Sequence, residues 1–295
     1  MEEANGALQG EFMTSENRSL WIERAKTFIP EVVGANPILA EFGRKAAIVF
    51  HGSVMLGFAD EVSDLDFWMV LSRDDLRRLD QASNTRFFAI EACGRQGHVN
   101  AEALEDFLER VDRCDMDLIG QLRCASPIID DGRMAGELIQ KATKPMREEV
   151  RRAYFFYNYV EMRGERTTCV NLATRNESVA LLVNFPKVLV LAMRAAIVLD
   201  GEPYPYDKWL YRAAKRSSVA GELIPVLDRC IDHLTGDALR STAGRQSPIF
   251  KELSNLRDII CQAAKEKGID EPWLGKFWLY FNQSRDAINS ARWLE

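Results

Sequence analysis

Apolar residues at positions 20, 21, 22, 25, 28 and 29 recur at three- and four-residue intervals, the spacing of an amphipathic helix, and Pro30 closes that pattern. A short apolar run at 46–50, bounded by charge before it and by Gly52 after it, predicts a buried strand. Residues 65–71, Leu-Asp-Phe-Trp-Met-Val-Leu, predict a second strand from their aromatic and aliphatic content, and the polar stretch 73–81 a helix. Two more strands are expected at 86–92 and 98–104, joined through Gly94-Arg95-Gln96-Gly97, with helical spacing returning at 105–124. Beyond residue 130 the strand signals stop, and helical patterns run over 148–163, 177–199, 223–234, 250–265 and 273–293. The order of these patterns predicts an α+β chain: a small mixed-sheet domain with flanking helices over 1–130, then an all-α helical bundle over 131–295.

The most apolar stretch, 179–199, is broken by Asn184, Pro186, Lys187 and Arg194, so it reads as a buried helix rather than a membrane span. With 295 residues, 47% hydrophobic and 28% charged, the chain has the composition of a globular protein with room for two domains. Its net charge of −6 sets an overall field that repels polyanions and argues against a long nucleic-acid partner. The six cysteines form no CxxC pair, which points away from a zinc or redox site and toward reduced thiols. Met1-Glu2-Glu3 opens no basic segment and apolar run, so a cytoplasmic location is expected.

Chemistry concentrates at His51-Gly52-Ser53 and, a short spacer later, at Ser63-Asp64-Leu65-Asp66-Phe67. Alternate residues of a strand project from one face, so Asp64 and Asp66 would present two carboxylates to one point. Such a pair suits Mg²⁺, or two ions sharing both side chains, with the substrate's phosphates completing the oxygen shell. Gly52 lets backbone approach closely, and Ser53 offers an amide and a hydroxyl to the phosphates of an NTP. Either fragment alone is commonly a turn or a solvated strand end; the two in this order define the candidate site.

The pattern hydrophobic-Gly-Ser, spacer, Ser-Asp-hydrophobic-Asp-hydrophobic, carried here by Phe50-His51-Gly52-Ser53 and Ser63 to Phe67, resembles the nucleotidyltransferase superfamily of the DNA polymerase β type. It is closest in style to the small bacterial kanamycin and lincosamide nucleotidyltransferases, with His51 before the glycine as a small departure. The specific match covers about twenty residues. Pro203-Tyr204-Pro205-Tyr206-Asp207-Lys208-Trp209 is similar to a Tyr-Pro-rich segment in the helical part of some bacterial relatives. The resemblance implies transfer of a nucleoside monophosphate, AMP from ATP first among them, to a hydroxyl of a small acceptor such as an antibiotic, with release of pyrophosphate. It also implies a helical domain that contributes to the nucleotide and acceptor cleft.

A later strand supplies a third metal carboxylate in that superfamily, for which Glu102 is the choice and Glu91 its rival. A carboxylate from the helical domain can serve as base in the antibiotic-modifying relatives; Glu177 is a candidate, although Thr174-Arg175-Asn176-Glu177 also fits a capping box. Lys208 could neutralise triphosphate charge and Tyr206 or Tyr204 stack on a base, the alternative being a proline-shaped loop with an exposed lysine. His51, His98 and His233 have no mutual spacing that suggests metal binding and are read as structural or surface residues. Lys144, Arg147, Arg151 and Arg152 alternate with Glu148 and Glu149, as on an ion-paired helix face. Two other readings stay open, nucleotidylation of a protein or tRNA and a non-catalytic nucleotide-binding module, as does a homo-oligomeric state.

Overall fold

A computed structural model of the chain describes residues 15–131, 133–235 and 248–294. The chain divides into two compact units between Lys144 and Pro145, later than the expected boundary at 130. The difference is one strand-helix segment: β5 (Ser126–Ile129) joins the sheet and α7 (Met134–Ala142) packs on the helices of the first unit.

The first unit opens with α1 (Ser15–Ala35), which runs through Pro30 instead of ending there. An interior proline costs a helix roughly 3 kcal/mol. Trp21, Ala25, Ile29 and Val33, four residues apart, are all buried on the helix face turned to the core, and each large side chain so buried contributes about 1.5–3 kcal/mol. Packing therefore outweighs the local penalty. Next, α2 (Pro37–Gly43) starts where the Asn36 side chain accepts hydrogen bonds from the Ile38 and Leu39 N–H groups at 3.0 and 3.2 Å.

The sheet contains β1 (Ala47–His51), β2 (Leu65–Leu71), β3 (Phe87–Ala92), β4 (Arg95–Ala103) and β5, in the spatial order β3-β4-β2-β1-β5. It is mixed: β2 and β4 pair in parallel, while the other pairs are antiparallel. Between them lie α3 (Gly52–Leu56) and α4 (Arg73–Ala82), then α5 (Leu104–Asp112) and α6 (Met116–Cys124). The β3–β4 connection is tighter than expected, a two-residue turn in which Cys93 and Gly94 take φ values of 52° and 71°. Two successive positive φ angles match the twist of paired strands, and this frees Arg95 to Gly97 to join β4. The helical pattern at 105–124 is two helices, because Cys114 turns left-handed at φ 60° and Asp115 caps α6 through the Leu118 N–H at 3.1 Å.

Strand alternation gives the sheet two faces. Ile48, Phe50, Leu65, Phe67, Met69, Leu71, Val99 and Ala101 form one buried layer against α1, α2 and α4. The opposite face carries Val49, Trp68 and Val70 under α5, α6 and α7, with Trp68 against Phe107 at 5.0 Å between ring centroids. His51, Asp66 and His98 share that second face.

The second unit is helical: α8 (Glu148–Thr174), α9 (Ser178–Leu199), α10 (Asp207–Ala214), α11 (Ser218–Thr235), α12 (Pro248–Glu266) and α13 (Phe281–Ser290). The α9 helix is long and apolar enough to cross a membrane by length and composition, and 56% of its most apolar stretch is buried inside the fold. The pattern at 273–293 does not form one helix. Two short 3-10 turns, Pro272–Leu274 and Phe277–Leu279, precede α13, and the Leu274 carbonyl accepts hydrogen bonds from Tyr159 and Arg163 at 2.7 and 3.0 Å. Arg151 and Arg152 both pair with Glu148, at 2.6 and 2.9 Å.

Candidate functional site

The site lies where β2 begins, on the second face of the sheet. In the paired register His51 stands opposite Asp66 on one side and His98 stands opposite it on the other. Three consecutive strands therefore deliver one side chain each to the same row. Asp64, two residues before Asp66, belongs to the same face by strand alternation.

Before β2, the loop leading to Asp64 is held by its own hydrogen bonds. Ser63 Oγ donates to Asp60 Oδ1 at 2.8 Å and accepts from the Asp60 N–H at 2.9 Å. Arg95, lying 5.2 Å over the Trp21 ring, donates to the carbonyls of Asp60 and Ser63 at 3.0 and 2.9 Å. A guanidinium spanning two carbonyls fixes the chain's entry into the strand.

At the centre, His98 Nε2 lies 2.9 Å from Asp66 Oδ1 and Nδ1 lies 3.7 Å from Asp64 Oδ2. One ligating atom from each of these three residues lies within 4.8 Å of the others. The hydrogen bond to Asp66 is the main cause that raises the His98 pKa above its ordinary value; burial opposes it, and the charges of Asp66 and Asp64 add to it. Phe87 stacks on the imidazole at 4.8 Å and limits its orientation.

Gly52 forms the other wall. Its φ is +78°, and a Cβ placed there would fall 2.0 Å from Asp66 Oδ2. The Asp66 carboxylate thus occupies the space a side chain at 52 would need, which only glycine leaves open. Ser53 is buried, and its Oγ has no hydrogen-bond partner among the described residues. His51 is buried too; burial lowers its pKa to about 4, so it is neutral near pH 7. Its ring stacks on Trp68 at 3.5 Å between centroids, and its Nδ1 lies 3.0 Å from Gln121 Oε1, whose amide donates to Asp117.

The structure thus brings Gly52, Ser53, Asp64 and Asp66 into one neighbourhood. It does not bring Glu102 there. Glu102 shares the strand face of His98, but its register partner is Val70, four residues on, or about 13 Å along the strand. Burial raises its pKa, opposed by the nearby charges of Arg110 and Arg86. Glu91 is exposed on β3 opposite Gln96, with β4 between it and the aspartates, and is not among the clustered ligating groups. The third member of the cluster is His98, contrary to the expectation that the histidines are structural or surface residues. Its sequence distance from Asp66 carries no periodic signal; only the parallel β2–β4 register joins them.

The remaining candidates belong to the second unit. Glu177 is the exposed residue before α9 and makes no side-chain cap, while Thr174 ends α8 with its hydroxyl on the Val170 carbonyl at 2.8 Å. The expected capping box is absent because Asn176, at φ 58°, turns the chain between two helices. Tyr206 precedes α10, and Lys208 in its first turn places Nζ 4.8 Å over the Trp209 ring. Asp207 between them pairs with Arg194 at 2.8 Å.

Two carboxylates and an imidazole converging beside a glycine cradle form a donor set suited to a divalent cation. No protein-family model matches the chain, and no curated protein does either. Among solved structures, the chain is similar to a nucleotidyltransferase-like protein from Exiguobacterium sibiricum, at 11% identity and a TM-score of 0.46, over 90% of this chain and 81% of that one.

Proposed function

We propose that the chain is a metal-dependent nucleotidyltransferase that moves a nucleoside monophosphate from an NTP, ATP first, to a hydroxyl of a small molecule. The observation that supports this reading most is the seating of the Asp66 carboxylate against Gly52 of the Gly-Ser turn, with Asp64 and His98 around it. That arrangement gathers the groups that hold a cation beside the groups that can receive its phosphates.

Asp64, Asp66 and His98 would hold the cation, which supplies charge neutralisation at the reacting phosphate. Gly52 leaves room for backbone to approach the triphosphate, and the buried Ser53 Oγ, without a hydrogen-bond partner among the described residues, would turn to accept or donate one. In the reaction, the acceptor oxygen bonds to the α-phosphorus as the bond to the bridging oxygen of the β-phosphate breaks. Pyrophosphate leaves with that electron pair, and the hydroxyl proton passes to solvent. The net charge of −6 favours a small acceptor over a long polyanion.

The test offers α-labelled ATP, CTP, GTP and UTP with a panel of aminoglycosides and lincosamides, purified tRNA and protein extract. Label is expected on a small hydroxyl-bearing acceptor, and Asp66→Asn is expected to remove it while leaving the thermal unfolding transition in place. Transfer that survives Asp66→Asn rules the reading out.

A further inference from the structure

We infer that His98 is a direct metal ligand and that the site therefore selects first-row transition ions such as Mn²⁺ or Co²⁺ over Mg²⁺, an inference that rests on the transferase reading of this site. Three observations carry it. The cluster of ligating atoms consists of Asp64, Asp66 and His98, and no third carboxylate joins them among the described residues. Of the two acids on the same sheet face, Glu102 stands four residues along the strand, opposite Val70, and Glu91 lies on β3, with β4 between it and the aspartates. Finally, the imidazole is held in place: it sits between the two carboxylates, stacked on Phe87, with its side chain 20% exposed.

Donor chemistry then decides the ion. Mg²⁺ is small and hard, takes oxygen ligands and gives up its waters reluctantly. Replacing one carboxylate with an imidazole removes a negative charge and an oxygen donor, both of which favour Mg²⁺. It adds a nitrogen donor, for which affinity rises from Mn²⁺ toward the later first-row ions. An imidazole that turns one nitrogen to an ion keeps the other for a hydrogen bond that sets the ring's orientation. His98 already has a carboxylate facing each nitrogen.

Mn²⁺ bound to the full-length protein provides the test, read by pulsed electron paramagnetic resonance. A directly bound imidazole gives a nitrogen coupling, which changes when the histidines are ¹⁵N-labelled. The coupling is expected in the unmodified protein and is expected to vanish in His98→Asp. Calorimetric titration should give Mn²⁺ at least about tenfold tighter binding than Mg²⁺, a ratio that His98→Asp moves toward Mg²⁺. Should His98→Asp fail to fold, the unmodified protein's spectrum still decides, and His98→Gln repeats the comparison with a neutral side chain of similar reach. Mn²⁺ bound through Asp66 without nitrogen coupling, or equal affinity for the two ions, overturns the inference. A coupling present in a protein that labels no acceptor leaves the ligand assignment standing and removes the transferase reading instead.

Discussion

Alanine in place of Gly52 carries two separable costs. The first is conformational: at φ +78° a Cβ crowds the backbone, which costs about 1–2 kcal/mol. The second is a collision, because that Cβ would lie 2.0 Å from Asp66 Oδ2, 2.7 Å from Cγ and 2.8 Å from Cβ. The two backbones are paired in register, so the Asp66 side chain must rotate away and give up its 2.9 Å bond to His98. A hydrogen bond to a charged group contributes about 1.5–3 kcal/mol, making the total for Gly52→Ala about 2.5–5 kcal/mol. Gly94→Ala is the control, since φ there is +71° and a Cβ would meet nothing within 4 Å. It should cost only the conformational part, about 1–2 kcal/mol. Hydrogen exchange of the β1 and β2 amides, read by mass spectrometry, reports the stability of the first unit in both variants. Mn²⁺ titration should show binding lost in Gly52→Ala and kept in Gly94→Ala. If the two variants differ by less than about 0.5 kcal/mol, the Asp66 carboxylate is not lodged against Gly52 and the geometry assigned to the site is wrong.

Other perturbations test the second unit. Asp200 follows α9 and accepts hydrogen bonds from the hydroxyls of Ser217 and Ser218 and from the Val219 N–H, with Lys267 Nζ at 3.4 Å. Burial alone would raise its pKa; the hydrogen bonds and the lysine outweigh burial and lower it. Its stabilising contribution is therefore fully present above the ordinary carboxylate value of 3.8 and is lost as pH falls through the lower folded value. Asp200→Ala should cost about 2 kcal/mol at pH 7 and less at pH 3, as measured by urea unfolding at the two pH values. An equal cost at both would contradict the assignment. Tyr159→Phe should cost about 1 kcal/mol in the same assay, because the Leu274 carbonyl keeps its 3.0 Å bond from Arg163. A loss above about 3 kcal/mol would mean the hydroxyl organises more of the 3-10 segment than these bonds describe.

The sequence made the locally encoded features readable. β2 is evident from 65–71 because a short aromatic and aliphatic run bounded by polar residues has few other uses. The Gly-Ser turn and the Asp-x-Asp pair were readable for the same reason: their spacing is set by one turn and one strand. Pro30 misled because local propensity is a weaker force than the burial of Trp21, Ala25, Ile29 and Val33. The break at Cys114 rests on one residue in a left-handed conformation, which has no signature in a cysteine. The grouping of His98 and not Glu102 with the aspartates has no signal along the chain, because both lie on one face of β4 and only the strand register separates them. That register depends on pairing between segments more than thirty positions apart, and no window along the chain contains both.

The parallel union of β2 with β4 also sets the order in which the site can be assembled. Parallel neighbours cannot be joined by a tight turn, so the loop through α4 and β3 must be closed for the imidazole to reach the aspartates. Contacts of such long sequence separation are slow to close. An ion gripped by all three side chains would thus bind the finished sheet and not a collapsed precursor, and at a hundred times its dissociation constant it would add about 2.7 kcal/mol to the native state. Metal supplied during refolding should accordingly slow unfolding rather than hasten the first collapse, which would tie the durability of this unit to an ion bound there.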